Sequence, residues 1–378
     1  MTQPRIGGPP SLKRTSLQVL QDAVPFGVLH PDKPRHFRDM VRVTVNNAGK
    51  LKYAWDILNH GVCDGCSLGP YGLKDNVIPG THLCTTRLNL LSVNTADGFT
   101  EDTVKDVAAL RAMSNEELQN LGRIPFPLLR RRGEPGFKRV SWDDALALAG
   151  GVLKQTDPER VAWFITSRGI TNETYYAFQK AARLFGSRHI DICARLCHAA
   201  SVFGLADTLG VGAPTCSLKD LIGGDLVVLW GTNLANNQPV SMKYLHYAKQ
   251  AGTRIIVVNP HMEPGLLRYW VPSVPQSALF GTQLADDFFP VAIGGDIAFM
   301  NGVMKVLLEK DALHKDFVSQ HTSGLEDARA LLNAMTWEDL ERDAGLPRAE
   351  FERFAGIYAQ AQSCVFVYSM GLTQHRFG

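Results

Sequence analysis

The sequence predicts an α/β protein built on largely parallel sheet, and three observations carry that reading. Four short runs, "RVAWFIT", "DLVVLWG", "TRIIVVN" and "CVFVYSMG", are uniformly apolar rather than alternating, as strands buried on both faces are. Helical stretches lie among them, including "NETYYAFQKAARLF", "PVSMKYLHYAKQ" and "DIAFMNGVMKVLLEK", and alternation of strand with helix is the signature of parallel sheet. Several runs end in small or polar residues: Ser167, Arg168 and Gly169; Gly231, Thr232 and Asn233; Asn259 and Pro260; Gly371. Open α/β sheets bind ligands at the carboxyl ends of their strands, where helix N-termini offer free N–H groups to phosphates. A nucleotide or dinucleotide cofactor is therefore expected on physical grounds alone.

Ahead of these runs the chain reads differently. Residues 1–35 carry Gly7, Gly8, Pro9, Pro10, Pro25, Pro31 and Pro34, which predicts an irregular arm. A cysteine-bearing segment follows. Next, "EDTVKDVAALRAMSNEELQNLG" has helical periodicity, ended by Gly122 and Pro125. The stretch "FPLLRRRGEPGFKRVSWDDAL" predicts a short hairpin, then a helix capped by Ser141 with Asp143 and Asp144 favouring its N-terminus. No internal repeat stands out.

Composition narrows the classes. Apolar residues make up 45% and charged residues 20% of 378, an ordinary globular balance, and the net charge of +2 suggests no nucleic-acid surface. The run Arg130, Arg131 and Arg132 is local and reads as a solvated turn or an anion contact. No apolar stretch reaches the roughly 18 residues a membrane span needs, and the N-terminus lacks a signal pattern, so a cytoplasmic protein is expected. Seven cysteines in a chain of this length point to metal or redox use rather than a secreted disulfide framework. No G-x-G-x-x-G follows any strand; Gly210 and Gly212 make only a G-x-G, which disfavours an ordinary NAD site.

Two constellations carry possible chemistry. In "HGVCDGCSLGPYG", Cys63 and Cys66 stand on one turn, and Cys84 follows in "THLCTTR". The glycines at 61, 65 and 69 let backbone N–H groups approach thiolates, a common tuning feature of iron–sulfur sites. A structural zinc site is open too, with His60 or His82 as its fourth ligand; a redox dithiol fits less well. The second constellation is "DICARLCHAASVFGLADTLG". There Cys193 and Cys197, four apart, share a helix face, and Cys197 beside His198 is either a nucleophile–base pair or a metal ligand with an acid/base neighbour. Asn172 and Glu173 open a helix after a strand, where capping is the plain reading, and Asp296 after Gly294 and Gly295 is an N-cap or a ligand-binding carboxylate. His246, His261, His314 and His321 lack metal-ligand spacing and read as structural or surface residues.

In order, C-x-x-C, "LCTTR", "RRRGEPGFKRVSWDDAL", "TSRGITNET", "DICARLCHAASVFGL", "WGTNLANNQP", "IIVVNP" and "GGDIAFMN" resemble the molybdopterin-dependent oxidoreductases of the formate dehydrogenase type. The branch most resembled is the alpha subunit related to formate dehydrogenase H. The resemblance runs from about residue 55 to the last residue. It implies an N-terminal iron–sulfur subdomain followed by doubly wound, largely parallel α/β domains of the formate dehydrogenase/DMSO reductase type. The implied organisation is an arm over 1–52, the cluster subdomain over 53–105, the first part of α/β domain II over 106–196, and an incomplete α/β domain III over 197–378.

Position by position, the resemblance implies that Cys63, Cys66 and Cys84 match three ligands of a [4Fe–4S] cluster. The fourth is expected near Pro70, which has no thiolate; His60, His82 or water would have to serve. The lysine that often follows the last cysteine by two is here Thr86, with Arg87 the nearest cation. "RLCH" matches the cysteine or selenocysteine that binds molybdenum, so Cys197 resembles the metal ligand and His198 the group that moves a proton. The loops "SRGITNE", "GTNLANN" and "VNPH" match those that hold a molybdenum bis(molybdopterin guanine dinucleotide), which draws in Ser167, Arg168, Asn172, Glu173, Gly231, Asn233 and Asn259. Asp296 matches the carboxylate that recognises the guanine edge. The implied activity is oxidation of formate or a similar small substrate, with electrons leaving through the cluster to an electron-transfer protein. Family members run to roughly twice this length. The resemblance stops before the arginine beside the substrate and before the C-terminal pterin-binding barrel. The competing expectation is a non-catalytic, truncated fragment that binds a cluster or zinc.

Overall fold

The structure, a computed structural model, describes residues 15–30, 35–61, 63, 65, 71–166 and 170–378. It divides into two compact units, each discontinuous in sequence. One comprises Met1–Pro34, Asp75–Cys84 and Cys197–Gly378, and the other Arg35–Lys74 and Thr85–Leu196.

In the second unit, helices His36–Asn46, Leu51–His60 and Thr85–Asn94 precede a small hairpin. Its strands β1 (Leu128–Leu129) and β2 (Lys138–Arg139) pair antiparallel, as the sequence predicts. Ser141 then caps the helix Trp142–Gln155, its side chain accepting from the Asp144 N–H at 3.0 Å. The predicted continuous helix over 101–122 is instead a short 3-10 turn and two helices, Val107–Ala112 and Asn115–Asn120. Ser114 breaks it, because Ser114 and Glu117 form a reciprocal capping box that starts a new helix there. Strands β3 (Trp163–Ile165) and β4 (Ile190–Ile192) pair in parallel around the helix Asn172–Phe185.

The first unit holds the main sheet. Its strands are β5 (Leu226–Trp230), β6 (Arg254–Val258), β9 (Asp287–Phe289) and β10 (Cys364–Tyr368); β7 (Arg268–Tyr269) and β8 (Thr282–Gln283) form a separate antiparallel pair. The four strands are all parallel, in the order β10-β5-β6-β9. Pleating sends alternate residues to opposite cores. Leu226, Val228, Trp230, Ile256, Val258 and Phe289 enter one core, beside Phe299, Phe351 and Phe354. Val227, Leu229, Ile255, Val257 and Phe288 enter the other, beside Met242, Tyr244 and Leu245. Burial on both faces explains why β5 and β6 read as unbroken apolar runs.

Two expectations need correction. The N-terminal segment 1–35 is not irregular throughout: Ser16–Ala23 is a helix with a Thr15/Gln18 capping box. Pro25 opens the turn Pro25–Gly27 just after that helix, where it terminates rather than forbids it. The arm residue Asp22 also bonds Arg268 at 2.6 Å. Nor is every apolar run buried on both sides: Phe164 of β3 is 66% exposed, and β10 is an edge strand.

Candidate active site

The main sheet begins at β5, steps to β6 and β9 on one side, and returns to β10 on the other side of β5. The strand order therefore reverses between β5 and β10, and ligands of open α/β sheets bind outside the carboxyl ends at such a point. Gly231 ends β5 there with φ of +57°, and a Cβ on it would lie 2.6 Å from the Leu372 nitrogen and 2.7 Å from the Gly371 carbonyl carbon. Glycine at 231 is thus demanded twice, by its left-handed backbone and by the close approach of the chain leaving β10. The Gly371 N–H donates to the Gly231 carbonyl at 3.0 Å, which joins the two strand ends.

Beside Gly231, three more predicted residues gather at this edge of the sheet. Asn233 caps the helix Leu234–Asn237, its Oδ1 accepting from the Asn236 N–H at 3.3 Å. Asn259, buried at the end of β6, donates from Nδ2 to the Thr232 carbonyl at 3.1 Å and so joins the loops after β5 and β6. Asp296 is the first residue of the helix Asp296–Glu309, where the helix dipole favours its charge. The N-cap itself is Gly295, so Asp296 is not a capping residue. Its Oδ1 accepts from the Trp230 indole Nε1 at 2.8 Å, and its Oδ2 lies 3.6 Å from His375 Nε2.

Cys197 and His198 lie on the helix Cys193–Leu209. Ser201, four residues after Cys197 and on its face of the helix, donates to Thr373 Oγ1 at 2.8 Å. Gln374 Nε2 donates to the Cys197 carbonyl at 2.9 Å. The short turn after β10 therefore bonds to the helix of Cys197, to the loop of Gly231 and, through His375, approaches Asp296. Among the described residues, neither Cys197 Sγ nor the His198 ring has a hydrogen-bond partner, and both side chains are half-buried. A thiol and an imidazole left unengaged are available for ligation and proton transfer.

Sequence reasoning missed Trp230, Thr373, Gln374 and His375. The only local signal was the glycine at 371 after an apolar run; the partners lie between 66 and 177 positions away.

The other predicted residues are placed less informatively. Ser167 and Arg168 lie outside the described residues. Asn172 and Glu173 are exposed in the first turn of their helix, and Thr171 rather than Asn172 is its cap. Cys63 is half-buried in one unit and Cys84 buried in the other, while Cys66 and Pro70 lie outside the described residues. A Cβ at Gly65 would sit 2.9 Å from the Leu90 side chain, and at an ordinary contact distance of 3.5 Å from Cys63 Sγ. Among the described residues no three His, Cys, Asp or Glu side chains form a metal-ligand group. Arg87 is buried, and its guanidinium donates to the carbonyls of Leu58 and Gly61, at 3.0 Å each, and of Gly72. It thereby ties down both ends of the C-x-x-C segment.

His82 is not a spare fourth ligand. It is 1% exposed, with Nδ1 2.8 Å from the Asp75 carboxylate and Nε2 3.0 Å from the Val240 carbonyl. Burial pushes its imidazole below the usual range, against the upward pull of Val240 and Asp75. Asp75 also accepts from the Tyr244 hydroxyl at 2.7 Å and the Val77 N–H at 2.6 Å. Burial opposes its ionisation, but these donors prevail and hold the carboxyl below its ordinary range. Buried Lys243 donates to the Thr81 carbonyl at 2.7 Å, so the segment bearing Cys84 is bolted to the helix Ser241–Gln250.

A parallel sheet wound on both faces, with its strand order reversing between β5 and β10, defines an open α/β protein. Residues 123–378 match the family described as molybdopterin oxidoreductase, and the chain belongs to that family. It is similar to protein YdeP of Escherichia coli, 34% identical over 296 residues that make up 75% of this chain and 38% of that protein. It is similar also to the alpha subunit of formate dehydrogenase 1 of Methanococcus maripaludis, 33% identical over 257 residues, 68% of this chain and 35% of that one. In fold it is similar to the acetylene hydratase from Pelobacter acetylenicus, with a TM-score of 0.58, 17% identity, and coverage of 83% of this chain and 40% of that chain. The chain thus spans less than two fifths of the length of these curated relatives. Among the described residues, no helix is long and apolar enough to cross a membrane.

The family implies a molybdenum–molybdopterin cofactor, and the donor chemistry at the sheet edge fits one. The glycines at 231 and 371 keep the strand ends bare, and Cys197, on a helix bonded to the turn after β10, carries a soft sulfur donor.

Proposed function

We propose that this chain is the cofactor-binding portion of a molybdopterin oxidoreductase alpha subunit that carries out formate dehydrogenase-like, two-electron oxidation of formate or a similar small substrate. The observation that carries this reading is the Cys197–His198 pair. Its helix is bonded through Ser201 and Gln374 to the turn that leaves the switch point, while the thiol and imidazole stay unengaged. In this reading Cys197 ligates the metal and His198 accepts the substrate proton. Gly231, Asn233, Asn259 and Asp296, with Ser167, Arg168, Asn172 and Glu173, hold a bis(molybdopterin guanine dinucleotide). When bound, that cofactor supplies the two-electron redox chemistry.

Cys63, Cys66 and Cys84 are assigned as ligands of a [4Fe–4S] cluster, the outlet for electrons toward an electron-transfer protein. That assignment rests on the sequence. Arg87 is assigned as the cation nearest the cluster, and its carbonyl contacts give it a positioning role for the loop. The similarity to a formate dehydrogenase alpha subunit supports the reaction class, although the acetylene hydratase has a similar fold, so fold alone does not choose the reaction.

The test is anaerobic purification from a host with intact molybdenum-cofactor biosynthesis, followed by elemental analysis, EPR and formate-dependent dye reduction. The reading expects molybdenum with iron and sulfide. It expects no dye reduction in Cys197→Ala, and a loss of about a hundredfold or more in kcat for His198→Ala. Absence of both molybdenum and pterin would overturn it; iron and sulfide alone would fit a non-catalytic cluster-binding fragment.

A further inference from the structure

We infer that Trp230 is a specificity-determining positioning residue: its indole N–H fixes the Asp296 carboxylate so that the remaining lone pairs face a guanine edge. This rests on the reading of Asp296 as a guanine acceptor and adds to it a residue that the sequence did not single out. The indole is itself immobilised. Trp230 is 3% exposed and ends β5, and its ring packs on Phe299 at 5.7 Å and Phe354 at 5.9 Å between ring centres. Phe299 lies on the same helix that begins at Asp296, so the aromatic cluster holds donor and acceptor in one register.

An ionised carboxylate has about four acceptor sites. The Trp230 Nε1–H occupies one on Oδ1, at 2.8 Å. His375 does not consume Oδ2: its Nε2 lies 3.6 Å away and is bonded instead to the Gly371 carbonyl, at 2.6 Å. A carbonyl accepts, so that nitrogen carries the proton. What remains at Asp296 is an oriented, acceptor-only edge at the start of a helix. Such an edge matches the adjacent N1–H and 2-amino donors of guanine. Adenine presents a bare N1 acceptor at the corresponding place and is repelled.

The probes are GDP and IDP, which differ only in the 2-amino group, titrated calorimetrically into the purified chain. The wild type is expected to bind GDP about tenfold or more tightly than IDP, the effect of one charge-assisted hydrogen bond. Asp296→Asn should abolish that preference. Trp230→Phe should cut the GDP-to-IDP preference about three- to tenfold. Should Trp230→Phe fail to fold, Asp296→Glu serves: it keeps the charge but displaces the carboxylate from the indole, and should lose the preference. A preference retained in Trp230→Phe, or in Asp296→Glu, overturns the role of Trp230. If the wild type binds both nucleotides equally, or neither, the guanine-acceptor reading itself fails.

Discussion

The protein contains two parallel β-α-β modules written in the same sequence grammar, and they are buried to very different extents. In β5–Ser241–Gln250–β6, Val227, Leu229, Met242, Leu245, Ile255 and Ile256 are fully buried. In β3–Asn172–Phe185–β4, Phe164 is 66%, Tyr176 64% and Leu184 81% exposed. The first module is five residues deep in each strand and covered by a core on either face; the second pairs only three residues per strand. An apolar run therefore specifies a strand, but how deeply that strand is buried depends on what the rest of its unit lays across it. The candidate site sits at the edge of the deeply buried module, where rigidity can hold a glycine crossing and an oriented carboxylate.

The comparison is broken most sharply by deleting buried volume. Phe299→Ala, in the aromatic cluster of the main sheet, should cost about 3–5 kcal/mol in urea unfolding. If the loss is below about 1 kcal/mol, the cluster is not the stability core that the burial pattern implies. Gly231→Ala should cost about 2–4 kcal/mol, from its left-handed backbone and the collision with Gly371 and Leu372. Tyr244→Phe removes a donor from half-buried Asp75 and should cost about 1–3 kcal/mol.

A smaller effect is expected from pH. Burial holds His246 below the usual imidazole range, Lys243 adding to the effect, and burial holds His82 below it as well. In the unfolded chain both titrate near ~6.5, so on acidification the unfolded state takes up protons first. Stability should therefore be full above about pH 6.5 and decline below it, toward the lowered folded values. The urea midpoint should drop between about pH 7.5 and pH 5.5, and His246→Gln should drop less; equal drops would remove His246 from the account. Least of all, Phe164→Ala in the exposed module should change stability by less than about 1 kcal/mol.

Strands β5, β6 and β10 and the helices Asn172–Phe185 and Asp296–Glu309 were legible because each is a long run with one periodicity. Strands β4 and β9 are three residues each and went unread; β3, equally short, was read because it lies within the longer apolar run "RVAWFIT". At the site, Cys197, His198, Asn233, Asn259 and Asp296 were legible as chemically apt residues beside strand or helix ends. Their relations were not. The bond from Trp230 to Asp296 and the one from Gln374 to the Cys197 carbonyl connect residues 66 and 177 positions apart, and follow from strand order rather than local pattern. His82 illustrates the converse. By residue type it was a possible metal ligand, yet Asp75 and Val240 occupy both of its nitrogens.

The central claim is that the carboxyl edge of the main sheet, between β5 and β10, holds a guanine-bearing molybdenum cofactor. Its most direct test is chemical analysis of the anaerobically purified chain for molybdenum and for the nucleotide released by mild acid hydrolysis. The account predicts that molybdenum and guanosine monophosphate are released together from the wild type, and that both fall in Gly231→Ala. Protein that carries neither, or that releases a nucleotide other than guanosine monophosphate, would contradict it.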